Sequence, residues 1–226
     1  MALRERARSS EDKQARRRAI LTAARAHFGE RGWAGFSMGE VAARAGVVKG
    51  TLYLYWPTRE ELLLAVLEEL LWQWLDELDG RLDELREGVG ATKLAAVICD
   101  SLLSKEPLGR LLAVLQTVLE HNVSRASIER FKRELALRVA ATGARIDRKV
   151  PLREGEGARA LLHANALLVG LQQMADSAPM VQEVLAEPSL GWLKIDFARE
   201  LRASLIIYFE GLINGRLPWN RVRRRS

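Results

Sequence analysis

Cysteine is almost missing from this chain: Cys99 is the only one among 226 residues. A single thiol excludes an internal disulfide framework and any Cys-based zinc site, and it suits a reducing cytosol. Long apolar runs are missing as well. Leu62 to Leu67 is typical of the longest, well short of the roughly 18 residues a membrane span needs. The start, Met-Ala-Leu-Arg-Glu-Arg, has no apolar stretch behind its charges, so no secretory signal is expected. These absences point to a cytoplasmic protein without a membrane partner. Catalytic groupings are scarce too. The three histidines, His27, His121 and His163, are scattered, and no Walker or His-Glu-x-x-His motif occurs. Neither a nucleophile–base pair nor a metal cluster is recognisable, so the chain reads as a non-enzyme with no metal and no cofactor.

What is present is ordinary for a folded protein: 48% hydrophobic and 28% charged residues, enough for a real core in one or two domains. The net charge of +6 is unevenly spread. Residues 1–60 hold 12 Lys/Arg against 6 Asp/Glu, residues 61–220 carry a net −4, and residues 221–226 add four arginines. A local basic excess beside a mildly acidic body is the electrostatic footprint of a nucleic-acid-binding segment, although a solubilising face has the same composition.

No run alternates apolar and polar β-branched residues, and no hairpin turn is set between such runs. Long stretches rich in Ala, Leu, Glu and Arg predict an all-α fold of nine to ten helices. Residues 1–12 read as a polar arm. The first helix is expected from Asp12 to Arg31, with Ile20, Ala24 and Phe28 on one stripe and Gly32 at its end. Ser37-Met-Gly-Glu40 and Thr58-Arg-Glu-Glu61 read as capping boxes that open the second and fourth helices. Between them, a short helix stopping at Gly46 and another from Val47 or Val48 to Trp56 make a helix-turn-helix. Further helices are expected near 91–104, 108–122, 126–149, 157–177, 180–186 and 194–214. The expected division is a helix-turn-helix domain with its basic arm at 1–58, a larger helical domain at 59–220 and a basic tail at 221–226.

The third helix is suited to meet a duplex. Leu52 points back onto Val41, Ala42, Ala45 and Val47. Lys49, Tyr53 and Trp56, at i, i+4 and i+7, share a different face. Gly50 lets the backbone approach a phosphate, and Thr51 offers a hydroxyl and a methyl to a phosphate or a thymine. The capped starts of the second and fourth helices present free N–H groups to anions.

The segment Phe36-Ser-Met-Gly-Glu-Val-Ala-Ala-Arg-Ala-Gly-Val-Val-Lys-Gly-Thr-Leu-Tyr-Leu-Tyr-Trp-Pro-Thr-Arg-Glu-Glu-Leu62 resembles the N-terminal domain of the TetR family of transcriptional regulators, over about residues 14–64. The resemblance implies that Ser37, Lys49, Gly50, Thr51, Tyr53, Tyr55 and Arg59 occupy DNA-contact positions. Three departures stand out: Val48 where serine is common, Tyr55 where histidine is frequent, and Pro57 where lysine is frequent. Beyond residue 64 only length and helical character match.

A single helix-turn-helix binds weakly, so a homodimer engaging a palindromic operator is expected. Residues 158–175 are apolar almost all round, and 201–213 have a wide apolar face. Leu162, Leu168, Leu171, Leu205, Tyr208, Phe209 and Leu212 are the candidate dimer residues, on helices that hold the dimer in the family. The resemblance also implies a small-molecule effector pocket. Trp72, Trp74, His121, Asn122, His163, Gln172 and Met174, polar or aromatic residues in apolar helices, are its candidate lining, with core packing as the alternative. The implied mechanism is a population shift in which ligand resets the fourth helix and releases DNA, which makes the protein a repressor. The competing reading is a basic helical protein that binds nucleic acid or membrane surfaces without sequence preference.

Overall fold

The computed structural model describes residues 2–215. The arginines at 221–225 and the end of the expected second domain lie outside the described residues. Eleven α-helices follow one another: α1 (Ala2–Arg31), α2 (Met38–Arg44), α3 (Lys49–Tyr55), α4 (Arg59–Asp83), α5 (Ala91–Leu103), α6 (Glu106–Val114), α7 (Glu120–Asn122), α8 (Arg125–Lys149), α9 (Glu156–Ala175), α10 (Pro179–Val184) and α11 (Phe197–Ile213). No strand occurs among the described residues. The all-α expectation holds, with one helix more than the upper count. A π turn at Leu115–Leu119 divides the helix expected at 108–122 into α6 and α7. A 3₁₀ turn at Gly191–Leu193 was not anticipated either.

The start of α1 corrects the sequence reading. Helix begins at Ala2, about ten residues before the expected Asp12. The reason lies in composition: Ala, Leu, Arg, Glu, Lys and Gln dominate residues 2–18, and no Pro or Gly interrupts them. Such residues lose little freedom in a helix.

The described residues fall into two compact units. The first comprises the chain up to residue 70 together with 114–131; the second comprises 71–113 and the chain from 132 onward. In the first unit Ile20, Ala24 and Phe28 of α1 are buried, as their spacing predicts. Phe36 stacks at a tilt against Phe28 and His27, with ring centroids 6.5 and 5.4 Å apart. Val41, Ala42, Leu52 and Trp56 complete this small core. Each large side chain so buried contributes about 1.5–3 kcal/mol.

The turn between α2 and α3 depends on Gly46. Its φ is +66°, a left-handed value that costs glycine nothing. The Val47 N–H then reaches back to the Ala42 carbonyl at 3.0 Å and closes α2. Gly32 (φ +63°) closes α1 in the same region of conformational space.

In the second unit α11 packs on α5 and α9. Leu94, Ala95, Ile98, Cys99, Leu201, Leu205 and Phe209 are buried. The α8–α9 hairpin is set by two glycines. A Cβ on Gly143 would lie 2.3 Å from the Ala158 nitrogen, and one on Gly157 would lie 2.2 Å from the Gly143 carbonyl oxygen. Backbone meets backbone at this crossing. Asp147 of α8 accepts the N–H groups of Gly155 (2.8 Å) and Gly157 (2.6 Å), capping α9 from a neighbouring helix.

Candidate nucleic-acid interface

The helix-turn-helix is built outward from its caps. Ser37 Oγ accepts the Glu40 N–H at 3.5 Å, and Thr58 Oγ1 accepts the Glu61 N–H at 3.0 Å. Each is the forward half of the expected capping box. Neither reverse half forms. The Ser37 N–H donates instead to Nε2 of the fully buried His27 at 3.1 Å, while the Glu40 carboxylate stands 3.6 Å from His27 Nδ1. Glu61 turns away to the start of α8, where it accepts the Ser124 N–H at 2.8 Å and the Ser127 hydroxyl at 2.7 Å. Burial by itself raises the Glu61 carboxyl. These hydrogen bonds outweigh it and hold the group below the usual carboxylate range.

Within α3 only Leu52 is buried. Lys49, Gly50 and Tyr53 are exposed, and Thr51 and Tyr55 are half-buried. The Lys49 ammonium lies 5.9 Å from the Tyr53 ring centroid. Among the described residues no atom lies within 4 Å of where a Gly50 Cβ would stand, so none of them requires glycine there. Trp56 departs from the expected shared face: it is the extended C-cap of α3 and is buried. Helical periodicity does not carry past the helix end, so Trp56 serves packing. The Arg17 guanidinium lies 5.4 Å above its ring.

Arg59, expected at a phosphate, is already engaged. Its guanidinium sits 4.0 Å above the Trp33 ring, and its Nε donates to Glu60 at 3.1 Å. Arg16, Arg17 and Arg18 are exposed along α1. A bidentate Arg44–Glu30 pair ties α2 to α1, one arm at 2.7 Å.

Two apolar residues stand out on this surface, Val48, already noted as a departure, and Leu54, which the sequence reading passed over. Val48 and Leu54 are 73% and 86% exposed. The signal was available: Leu52 and Leu54 are two apart, or about 200° around a helix, so both cannot face one core. The reading of the chain as free of catalytic motifs also needs a correction, because a Gly-x-Ser-x-Gly pentapeptide is present. Gly35-Phe-Ser-Met-Gly39 has the letters of a nucleophile elbow, a motif that requires a strand-to-helix turn. Here Ser37 follows a helix and a turn, and its hydroxyl caps α2. The one nearby imidazole nitrogen that accepts takes the backbone N–H of Ser37, not its hydroxyl.

The other candidate residues are spread over both units. His121 and Asn122 are exposed in the first unit, where the Asn122 side chain donates to the Val118 carbonyl at 2.8 Å. In the second unit Trp74 is buried, and its Nε1 donates to Ser101 Oγ at 2.9 Å. Trp72 lies under the Arg138 guanidinium at 5.0 Å. His163 Nδ1 meets the Tyr208 hydroxyl at 2.9 Å, and Met174 is exposed. One cavity of about 200 Å³ in the second unit counts Gln172 among its lining residues, together with Leu102, Leu103, Lys105, Arg110 and Phe197. Of the candidate dimer residues, Leu168, Leu205, Phe209 and Leu212 are buried inside the chain itself. Leu171 and Tyr208 are half-buried, and Leu162 is 57% exposed. An apolar residue recurring at helical spacing looks the same in sequence whether it faces its own core or a second copy. Among the described residues no helix is long and apolar enough to cross a membrane.

Comparison with known proteins places this geometry. The family model described as "Bacterial regulatory proteins, tetR family" matches residues 20–66, and "Tetracyclin repressor-like, C-terminal domain" matches residues 68–216. The HTH-type transcriptional regulator RutR of Escherichia coli K12 is 41% identical over 64 residues, 28% of this chain and 30% of that protein. The fatty acid metabolism regulator protein of Bacillus subtilis is 30% identical over 79 residues, 35% of this chain and 40% of that protein. The match thus spans less than half the length of either relative. Two solved structures share the fold. A putative transcriptional regulator from Rhodococcus sp. RHA1 has a TM-score of 0.58 at 16% identity, covering 86% of this chain and 95% of that one. The multidrug binding protein EbrR complexed with imidazole has a TM-score of 0.52 at 20% identity, covering 86% and 94%. With both family models accounting for nearly the whole described chain, and with a helix-turn-helix held out from a small core, the protein belongs to the TetR family of bacterial transcriptional regulators.

Proposed function

We propose that this regulator is a cytoplasmic repressor that binds a palindromic operator as a homodimer and releases it on binding a small molecule. One observation carries the reading: α3 buries only Leu52 and holds Lys49, Gly50, Tyr53 and Leu54 toward solvent. In this reading residues 1–58 form the DNA-binding domain and 59–220 the effector and dimerisation domain. Lys49, Thr51, Tyr53 and Leu54 enter the major groove. Tyr55 and Arg59 meet the sugar–phosphate backbone, as does the capped start of α2 at Ser37.

Dimerisation is assigned to the outward faces of α9 and α11. Leu162 and Ile207 stand 57% and 70% exposed there, with Leu171 and Tyr208 beside them and Leu168, Leu205, Phe209 and Leu212 supporting that face from within. Two recognition helices then reach half-sites ~34–36 Å apart, or a multiple of that spacing. The helix α4 contributes residues to both units. A ligand that favours one setting of α4 alters the spacing of the two α3 helices and ends simultaneous engagement. EbrR, a structural neighbour, is described as a multidrug binding protein, which supports a ligand-responsive body here.

Selection of bound sequences from a random duplex library tests the proposal. A palindromic consensus supports it. Salt-sensitive binding without sequence preference sinks it and favours the general basic-protein reading.

A further inference from the structure

The cavity of about 200 Å³ in the second unit has two kinds of wall. Leu102, Leu103 and Phe197 make it apolar on one side. Lys105, Arg110 and Gln172 make it polar on the other, and no carboxylate is among the described residues that line it. Gln172 is only 9% exposed, and among the described residues its side-chain amide has no hydrogen-bond partner. Buried amides are ordinarily paired, so this one is left available to whatever fills the space.

That space has a sequence-level cause. Gly109 lies within α6, and a Cβ there would stand 3.0 Å from Gln172 Oε1. Glycine inside a helix is unfavourable relative to alanine, so α6 forgoes stability to leave the amide uncovered.

Of the two cations, Lys105 is held without being used up by the fold. Lys105 Nζ lies 3.0 Å from Glu77 Oε2, but Glu77 is also paired with Arg81. The Lys105 hydrogen bond is the largest influence holding the Glu77 carboxyl below its usual range, with burial opposing it and Arg81 assisting. If Lys105 turns to a ligand, Glu77 keeps Arg81. Arg110 Nε lies 3.4 Å from Asp176, which is the C-cap of α9. A carboxylate at a helix C-terminus is disfavoured by the helix dipole.

We propose that this cavity binds a small carboxylate with a single aromatic ring or a compact branched body, and that this is the effector class. The carboxylate faces Lys105 and Arg110 and accepts from the Gln172 amide, while the hydrocarbon lies on Leu102, Leu103 and Phe197. Size sets the upper limit: an apolar cavity on the order of 150 Å³ holds benzene, so this one holds a ring with one carboxyl group. The inference rests on the ligand-responsive reading given above.

Calorimetry of the full chain with benzoate, benzamide and benzylamine tests it. Benzoate is expected to bind, its neutral isostere benzamide at least tenfold more weakly, and benzylammonium not detectably. Gln172→Leu weakens benzoate at least tenfold. Gly109→Leu fills the cavity and abolishes binding, with the fold checked by circular dichroism. Should that variant unfold, Gly109→Ala, whose Cβ presses on the flexible end of Gln172 and meets Phe197 at an ordinary 3.9 Å, gives a partial loss. Equal binding of benzoate and benzamide, binding undiminished by the Gly109 and Gln172 variants, or no benzoate binding overturns the assignment. Operator release is scored alongside with a diverse compound library. Release by a compound indifferent to Gly109→Leu removes this cavity and keeps the ligand-responsive reading; operator binding that no compound disturbs removes that reading itself.

Discussion

The backbone N–H of Ser37 donates to Nε2 of His27 at 3.1 Å, so the start of α2 is fastened to α1 by a buried imidazole ten residues upstream. An acceptor at Nε2 places the ring proton on Nδ1, toward Glu40. His27→Leu keeps the volume but leaves the Ser37 N–H without its acceptor. The expected loss is about 1–3 kcal/mol in urea unfolding, with weakened duplex binding. His27→Gln, which restores an acceptor, recovers part of both. Equal stability in all three proteins would show that the cap stands without α1.

Base-reading and backbone-holding residues separate in DNA titrations. Tyr53→Ala or Thr51→Ala is expected to cost about 1–3 kcal/mol on the selected operator and little on random duplex. Arg59→Ala weakens binding to every sequence and lowers the salt slope by roughly one. Because Arg59 also covers Trp33, its variant loses some thermal stability. A Tyr53→Ala protein with wild-type operator affinity would exclude α3 as the reading helix.

The α8–α9 crossing tolerates no side chain. Gly157→Ala drives a methyl to 2.2 Å from the Gly143 carbonyl oxygen and against Asp147. A destabilisation of about 1–3 kcal/mol or more is expected in thermal or chemical melts. Gly170→Ala is the control. It lies in the same helix with nothing within 4 Å of an added Cβ, so it is neutral or stabilising by about 0.5–1 kcal/mol.

Cys99 is protected rather than reactive. It is fully buried on α5, and burial pushes its thiol up to about 11 against the opposing charge of Arg202. At pH 8 only about one thiol in a thousand is then thiolate. A thiol reagent is expected to label it only after denaturation. The folded thiol binds its proton more tightly than the unfolded one, so stability declines as pH rises from about 9 toward 11. Burial pushes Tyr208 in the same direction, to about 12. Urea midpoints at pH 8 and 10.5 should differ less in Cys99→Ala than in the parent protein.

The outer face of α9 and α11 is tested by charge. Leu162→Glu with Ile207→Glu is expected to give folded monomers by sedimentation. Leu205→Glu, buried within the chain, is expected instead to unfold it. A persistent dimer in the double variant would move the interface elsewhere.

Local signals carried far in this sequence. The stripe of Ile20, Ala24 and Phe28, the stops at Gly32 and Gly46 and the anchoring of Leu52 all follow from spacing and backbone preference, and all are present. What spacing hid were partners distant along the chain. Ser37 with Glu40, and Thr58 with Glu61, read as closed capping boxes, but each glutamate has another neighbour once the helices pack. Trp56 left its expected face because α3 ends before it. Spacing does not sort the ligand candidates, since a polar residue in an apolar helix looks alike whether it lines a cavity, as Gln172 does, or donates to a neighbouring hydroxyl, as Trp74 does.

Glu61 gives two long helices a common origin. It sits in the first turn of α4 and also receives Ser124 and Ser127 at the opening of α8. One carboxylate thereby faces two positive helix ends, a placement both dipoles favour. Its lowered affinity for protons contributes stability above the ordinary carboxylate range, lost as pH falls through the folded value. A single proton on that oxygen therefore unpins both rods at once, and only acid below the ordinary carboxylate range delivers it.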